Sequence, residues 1–287
     1  MSVINTNIRA LASTNAIAAN NRSMQKTMES LSTGSRINRA SDDAAGLSVR
    51  ENMTSQINGL NAAVRNANDA INMLQTADGS LNEVSDLMQR MRELGTLAQN
   101  DTYSTAQKTS MDNEYQALSS EIDRIRSNTQ WNKMSVLTGS GGEVGTTGKF
   151  TYQIGANAAQ QITVTIGNQG VTSGAGPAAA AEFTGLSSTN ITTGTTAALA
   201  VSALDVAISQ LNANRSAIGA GINRLEHAIN NLTNVAQNAT DSRSRVTDTD
   251  YSKATSDLAK QQIIAQAATA ILAQANQQPQ SVLSLLK

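Results

Sequence analysis

Apolar residues recur at steps of three and four along most of this 287-residue chain, the spacing of an α-helix that buries one face. Ile4, Ile8, Leu11, Ile17, Met24, Met28 and Leu31 mark one such helix near the start, and Leu258, Ile264, Ala268, Ile271 and Ala275 mark another near the end. Between Leu258 and Leu286 the only charged residue is Lys260. A solvated helix normally carries a charged face, so a stretch covered in Ala, Gln, Ser and Asn predicts a helix surrounded by other protein. The two ends therefore point to assembly.

The interior repeats the pattern. Met53, Ile57, Leu60, Val64, Ala67, Ile71 and Leu74 alternate steps of four and three, and the series resumes at Ala77, Leu81, Val84, Met88 and Met91 after one dropped residue. This predicts one long helix with a local phase slip. Met111, Tyr115, Leu118, Ile122 and Ile125 follow a polar break at Asn100 to Thr105 and predict a helix folded back antiparallel on the first. The longest seam runs through Leu204, Ile208, Leu211, Arg215, Ile218, Ile222, Leu225, Ile229, Leu232, Ala236 and Ala239, with Arg215 its one charged intruder. Proline occurs only at Pro177 and Pro279, which leaves these stretches free to be helix. The expected fold is mainly α: long antiparallel helices in a coiled-coil-like bundle, the N- and C-terminal helices paired, and a small β-hairpin region in the middle of the chain.

The hairpin is predicted where the composition changes. Twelve of the nineteen glycines lie between Gly139 and Ala200, with only Glu143, Lys149 and Glu182 charged, so helix is disfavoured there. Within it FTYQIGANAAQQITVTI alternates as Phe150/Tyr152/Ile154 and Ile162/Val164/Ile166 around a Gly-Ala-Asn turn, a hairpin signal. Gly167 to Thr196 has no clear period and predicts a loop-rich surface excursion.

Chemistry is sparse. The chain has no Cys, one His, one Trp and 2% aromatics, which empties most of the inventory of nucleophiles, acid–base groups and metal ligands and weighs against an enzyme, a metal or a cofactor. A net charge of −1 offers no field for nucleic acid, and few aromatics offer no stacking platform. No long apolar run predicts a membrane span, and no cleaved signal peptide is expected. His227 beside Glu226 has no second His to complete a zinc site and is expected on a helix surface. Asp42 and Asp43 are expected to cap a helix, and Asp248 and Asp250 to mark a turn or helix start without the Gly and distal Glu of a calcium loop.

Several segments together resemble bacterial flagellin: VINTNIRALAS, RINRASDDAAGL, MQRMRELGTLAQN, FTYQIGAN and ILAQANQQPQSVLSLLK, in that order along the chain. The resemblance implies a filament subunit in which residues 1–42 and 244–287 form a terminal coiled-coil core domain, disordered in the free monomer. Residues 43–166 and 197–243 would form a helical rod domain with a β-hairpin, and 167–196 a short variable surface segment. It implies a polymerisation core at Ile4, Ile8, Leu11, Ile264, Ala268, Ile271, Leu283 and Leu286. It also implies a receptor or inter-subunit contact at Gln89, Arg90, Leu94 and Glu114. The implied partners are further copies of the chain, the filament cap protein, the hook-filament junction protein, an export chaperone at the C-terminus and the vertebrate innate immune flagellin receptor. The implied location is the extracellular flagellum, reached by type III export without a cleaved signal. The hook-filament junction protein itself shares the paired ends, but the QRMREL, QIGAN and LAQANQ matches favour flagellin.

Overall fold

The computed structural model describes residues 7–139, 148–167 and 189–284, with side chains described as far as residue 277. In order these form α1 (Ile8–Thr33), α2 (Ala44–Ala98), α3 (Thr105–Asn128), β1 (Gln130–Trp131), β2 (Met134–Ser135), β3 (Lys149–Gln153), β4 (Gln161–Thr165), α4 (Gly194–Thr247) and α5 (Tyr251–Ser284). The fold is mainly α with two small antiparallel sheets, as the periodicity predicts. The chain divides into two compact units, Met1–Ile57 with Gln237–Lys287, and Asn58–Ala236; α2 and α4 supply residues to both.

In the Asn58–Ala236 unit, α2 and α4 run antiparallel, with Arg92 opposite Asp205 and Asp78 opposite Arg215. Their seam differs from the predicted one. Its buried positions on α2 are Leu60, Ala63, Ala67, Ala70, Leu74, Ala77, Leu81, Val84, Met88 and Met91, which keep strict three-and-four steps through the place where a phase slip was expected. The larger Val64 and Ile71 lie half-buried on its flank. Sequence reading followed the bulkier side chains, whereas close helix approach selects alanine for the seam itself. Arg215, the charged intruder in α4, is accounted for by its Nε donating to Asp78 Oδ1 at 2.9 Å. By length and composition α4 is long and apolar enough to cross a membrane, but Ala200, Leu204, Leu211 and Ile218 spend its apolar face on this core.

A capping box starts α3. Ser104 N–H donates to Gln107 Oε1 at 2.9 Å and Gln107 N–H to Ser104 Oγ at 3.4 Å, satisfying two of the amides that a helix start leaves open. The helix folds back antiparallel on α2 as predicted, with Thr129 after its end donating to Ser80. Its buried Tyr115 meets Thr189 Oγ1 at 3.2 Å, Gln116 Nε2 donates to the Thr189 carbonyl at 3.0 Å, and Ile191 N–H donates to Asp112 Oδ1 at 2.8 Å. These bonds hold the entry to α4 on α3. Burial pushes the Tyr115 phenol up, with the Thr189 bond opposing.

The predicted hairpin is β3–β4, paired Phe150↔Val164 and Tyr152↔Ile162. Phe150, Ile162, Val164 and Ile166 bury in the core. At Gly148, φ is +59° and an added Cβ would lie 1.7 Å from the Ile166 carbonyl oxygen, so only glycine fits. The connection is longer than a Gly-Ala-Asn turn: Ile154 N–H reaches the Gln160 carbonyl at 2.9 Å. A second hairpin, β1–β2, was not anticipated; its two-residue loop places Asn132 and Lys133 at φ 49° and 65°. Asn tolerates that left-handed region, but Lys carries no such signal.

Two helical glycines separate packing from propensity. An added Cβ at Gly221 meets Val164 Cγ2 at 2.8 Å, whereas at Gly79 nothing lies within 4 Å. Gly79→Ala should stabilise by about 1 kcal/mol through helix propensity. Gly221→Ala should destabilise by about 1–2 kcal/mol, because β4 must give way. Denaturant midpoints followed by circular dichroism check both; a stabilised Gly221→Ala would mean that β4 packs loosely.

Candidate functional site

In the Met1–Ile57/Gln237–Lys287 unit, polar side chains fix where each helix starts and stops. Asn7 caps α1, accepting from Ala10 N–H at 3.1 Å, and Gly34 ends it in the left-handed conformation. Asp43 Oδ1 accepts from Gly46 N–H at 2.9 Å at the start of α2, and Asp250 Oδ1 from Ser252 and Lys253 at 3.0 and 3.2 Å at the start of α5. Both fulfil the expected capping. Asp42 instead organises the preceding turn. It meets Lys26 at 2.9 Å and accepts from the Asn38 and Arg39 amides, and the Lys26 contact, then the Arg39 amide, hold its carboxyl below the ordinary range.

The α1–α2 and α4–α5 linkers are hydrogen-bonded to each other. Ser35 and Asp248 form an antiparallel bridge, Arg36 N–H donates to the Thr247 carbonyl at 2.6 Å, and Thr249 N–H to that of Gly34 at 2.9 Å. The Arg36 guanidinium adds a bond to the Val246 carbonyl at 2.7 Å. Ser244 and Thr247 hydroxyls donate to Asp248 and lower its pKa, Ser244 foremost. Ile37 is buried beside these bonds.

From this junction α1 and α5 pair antiparallel, with Leu31 at the height of Tyr251 and Asn7 at that of Ala275. The half-buried line on α1 is Ala10, Ser13, Ile17, Asn20, Met24, Thr27 and Leu31. Its counterpart on α5 is Ala254, Leu258, Gln261, Ala265, Ala268, Leu272 and Ala275. Each alternates three and four, the coiled-coil spacing, but nine of the fourteen places are filled by Ala, Ser, Thr, Asn or Gln. Large apolar side chains are left on the outside: Ile8, Leu11 and Met28 of α1 are 62, 58 and 53% exposed, and Ile263, Ile264 and Ile271 of α5 are 66, 42 and 56% exposed.

The single seam read from sequence at each end is thus two faces. Ile17, Met24, Leu31, Leu258, Ala268 and Ala275 face the partner helix, while Ile8, Leu11, Met28, Ile264 and Ile271 face away. Ile4, Leu286 and the side chain of Leu283 lie outside the described residues. Sequence reading missed Asn20, Thr27 and Gln261, whose signal is an unbroken three-and-four spacing that ignores polarity. His227 is exposed on α4, as expected.

The other group of predicted residues sits on α2 and α3. Arg90 Nε donates to Glu114 Oε1 at 2.9 Å, joining the two helices, and another guanidinium nitrogen reaches Glu93 at 3.1 Å. The Glu114 bond is the first cause of the raised Arg90 pKa. Gln89 is exposed beside them, whereas Leu94 is 3% exposed and turns into the core. Among the described residues no three His, Cys, Asp or Glu side chains gather as metal ligands.

Ile8, Leu11, Met28, Ile263, Ile264 and Ile271 thus stand exposed on the outer faces of α1 and α5, and comparison with known proteins gives the family. The bacterial flagellin N-terminal helical region matches residues 4–141, and the bacterial flagellin C-terminal helical region matches residues 201–286. The chain belongs to the bacterial flagellin family. It is similar to flagellin FlaB2 of Treponema pallidum, 41% identical over 99% of this chain and 100% of that one. It is similar also to the flagellar filament 33 kDa core protein of Treponema phagedenis, 41% identical over 99% and 100%. The flagellin of Bacillus subtilis is 41% identical over 99% of both chains. Flagellins are structural proteins and not enzymes, and this one is a structural subunit of the flagellar filament.

The junction of this flagellin should respond to acid. Asp42 and Asp248 have folded pKa values below their ordinary 3.8, so their contribution is complete above the unfolded value and lost as pH falls through the folded one. Helix content should therefore fall on titration below about pH 4, and Asp42→Asn with Asp248→Asn should make that fall shallower. An unchanged acid limb would place the acid-sensitive carboxylates elsewhere.

Proposed function

We propose that the terminal pair is the polymerisation core of this flagellin, with residues 1–42 and 244–287 ordered by contact between copies and residues 43–166 and 197–243 forming the rod outside them. The observation that carries this reading is the outward apolar face of α1 and α5. Full burial of a Leu or Ile contributes about 1.5–3 kcal/mol, so covering six half-exposed side chains contributes roughly several kcal/mol per subunit. Repeated heterologous contacts of this kind grow an open helix. In this reading Ile4, Ile8, Leu11, Ile264, Ala268, Ile271, Leu283 and Leu286 form the buried centre.

The family membership supports a path to that state: export through the flagellar type III channel without a cleaved signal, an export chaperone on the C-terminal segment, and addition beneath the filament cap protein beyond the hook-filament junction protein. The filament lies outside the cell and acts as the propeller. The exposed Gln89, Arg90 and Glu114 form the contact for the vertebrate innate immune flagellin receptor on the free monomer, with Leu94 anchoring the helix beneath them.

Ile271→Pro tests the core, because proline inside a helix costs about 3 kcal/mol. Electron microscopy of seeded full-length protein should show long filaments, and the variant should show none while keeping the helix signal of the Asn58–Ala236 unit. Filaments of ordinary length from Ile271→Pro would sink this assignment.

For the receptor contact, Arg90→Ala should change the unfolding free energy by less than about 1 kcal/mol, the scale of exposed ion pairs, while lowering signalling in a receptor reporter cell. Full signalling from a folded Arg90→Ala monomer would remove Arg90 from the contact.

A further inference from the structure

The triplet Asn-X-Ser/Thr, with X other than Pro, is the acceptor signal for an N-linked sugar, and it occurs at seven places in this chain. Chance produces such triplets wherever Asn, Ser and Thr are abundant, so geometry has to choose among them. A transferase reads the Asn side chain together with the Ser or Thr two places on, and the two must lie on one side of the backbone. Asn21, Asn52, Asn214, Asn231 and Asn238 are in α1, α2 and α4, where residues two apart do not face each other. In Asn190-Ile191-Thr192 the middle residue is fully buried and its N–H donates to Asp112 Oδ1 at 2.8 Å. That triplet is held against α3.

Asn100-Asp101-Thr102 differs from the other six. All three residues are exposed, in the turn between α2 and α3. Thr102 N–H donates to Asn100 Oδ1 at 3.0 Å, an Asx turn that draws the two ends of the triplet together. The turn is fixed on both sides: Asn100 N–H donates to the Leu97 carbonyl at 3.1 Å, and the Ser104 capping box starts α3. Asn100 Nδ2 carries no hydrogen bond among the described residues. An amide nitrogen is a poor nucleophile because its lone pair is shared with the carbonyl, and a donor already placed on Oδ1 stabilises the charge that gathers there as Nδ2 gives up a proton. The neighbouring Asp101 carboxylate is met by Lys108 Nζ at 3.3 Å, which offsets its charge beside the acceptor.

We propose that Asn100 is an N-glycosylation site, taking a hexose or N-acetylhexosamine from a glycosyl diphosphate donor. Nδ2 passes a proton to a carboxylate of the transferase and bonds to the sugar C1, while the bond from C1 to the diphosphate oxygen breaks and the diphosphate leaves with its electron pair. The product is a bulky, solubilising group on an exposed turn. The inference makes no use of the terminal pair, so it stands or falls separately from the assembly reading.

Mass spectrometry of the full-length protein isolated from the cells that make it tests the assignment. The tryptic peptide Glu93–Lys108 should carry the added mass of a sugar, and electron-transfer fragmentation should place it on Asn100. Thr102→Ala should abolish the addition and Thr102→Ser should keep it. Asn100→Asp retains the oxygen that accepts from Thr102 N–H, so it should lose the sugar with the helix content unchanged. An unmodified Asn100, a sugar that persists on this peptide in Asn100→Asp, or equal modification of Asn190 and the helical triplets would overturn the proposal.

Discussion

Two helices can cover only one stripe of each other, and the rest of the structure depends on how each helix spends that stripe. A helix with large apolar residues on more than one side must find further protein. In the Asn58–Ala236 unit that protein is its own chain: α3 and the β3–β4 hairpin supply a further layer, and Tyr115, Ile122, Phe150 and Val164 bury with the α2 and α4 seams. In the other unit α1 contains no buried residue. Its stripe against α5 alternates Ile17, Met24 and Leu31 with Ser13, Asn20 and Thr27, while Ile8, Leu11 and Met28 remain outside.

This distribution is economical for a subunit that folds and then joins others. Ala, Ser, Asn, Thr and Gln at nine of the fourteen seam places leave five large apolar side chains to bury there, so the α1–α5 pair alone gains modestly from forming. Six large apolar side chains stay exposed on its outer faces, area that the proposed contacts between copies would cover, tying order of the ends to assembly. The linkers work differently. Backbone bonds joining Ser35 to Asp248 and Gly34 to Thr249 set the start of the pair whatever its seam contains.

Helix positions, antiparallel pairing of α3 on α2, the β3–β4 hairpin and the capping carboxylates were legible because each follows from a local rule: period, polar break, alternation, or a short acid before a helix. Faces were less legible. Bulk drew the sequence reading to Val64 and Ile71, where the seam uses Ala63 and Ala70, and to Ile264, where it uses Ala265. Hydrophobicity ranks residues by how much they gain from burial, but close approach of two backbones selects small ones. The β1–β2 hairpin was hidden because Lys133 occupies a left-handed position that its chemistry does not favour. Of the candidate contact residues, spacing placed Arg90 and Glu114 on neighbouring helices, but only coordinates put Leu94 in the core.

Polar groups in this chain consequently serve geometry more than stability. Exposed pairs such as Arg90–Glu114 and Arg92–Asp205 lie where water competes for both partners, and such pairs contribute at most about 1 kcal/mol. What they fix is which helix positions stand opposite. Arg215–Asp78 does so within an apolar seam. A filament subunit needs this more than an isolated domain does, because an error in register repeats at every contact the subunit makes. Apolar area supplies attraction without direction; sparse, well-placed hydrogen bonds and ion pairs supply the direction.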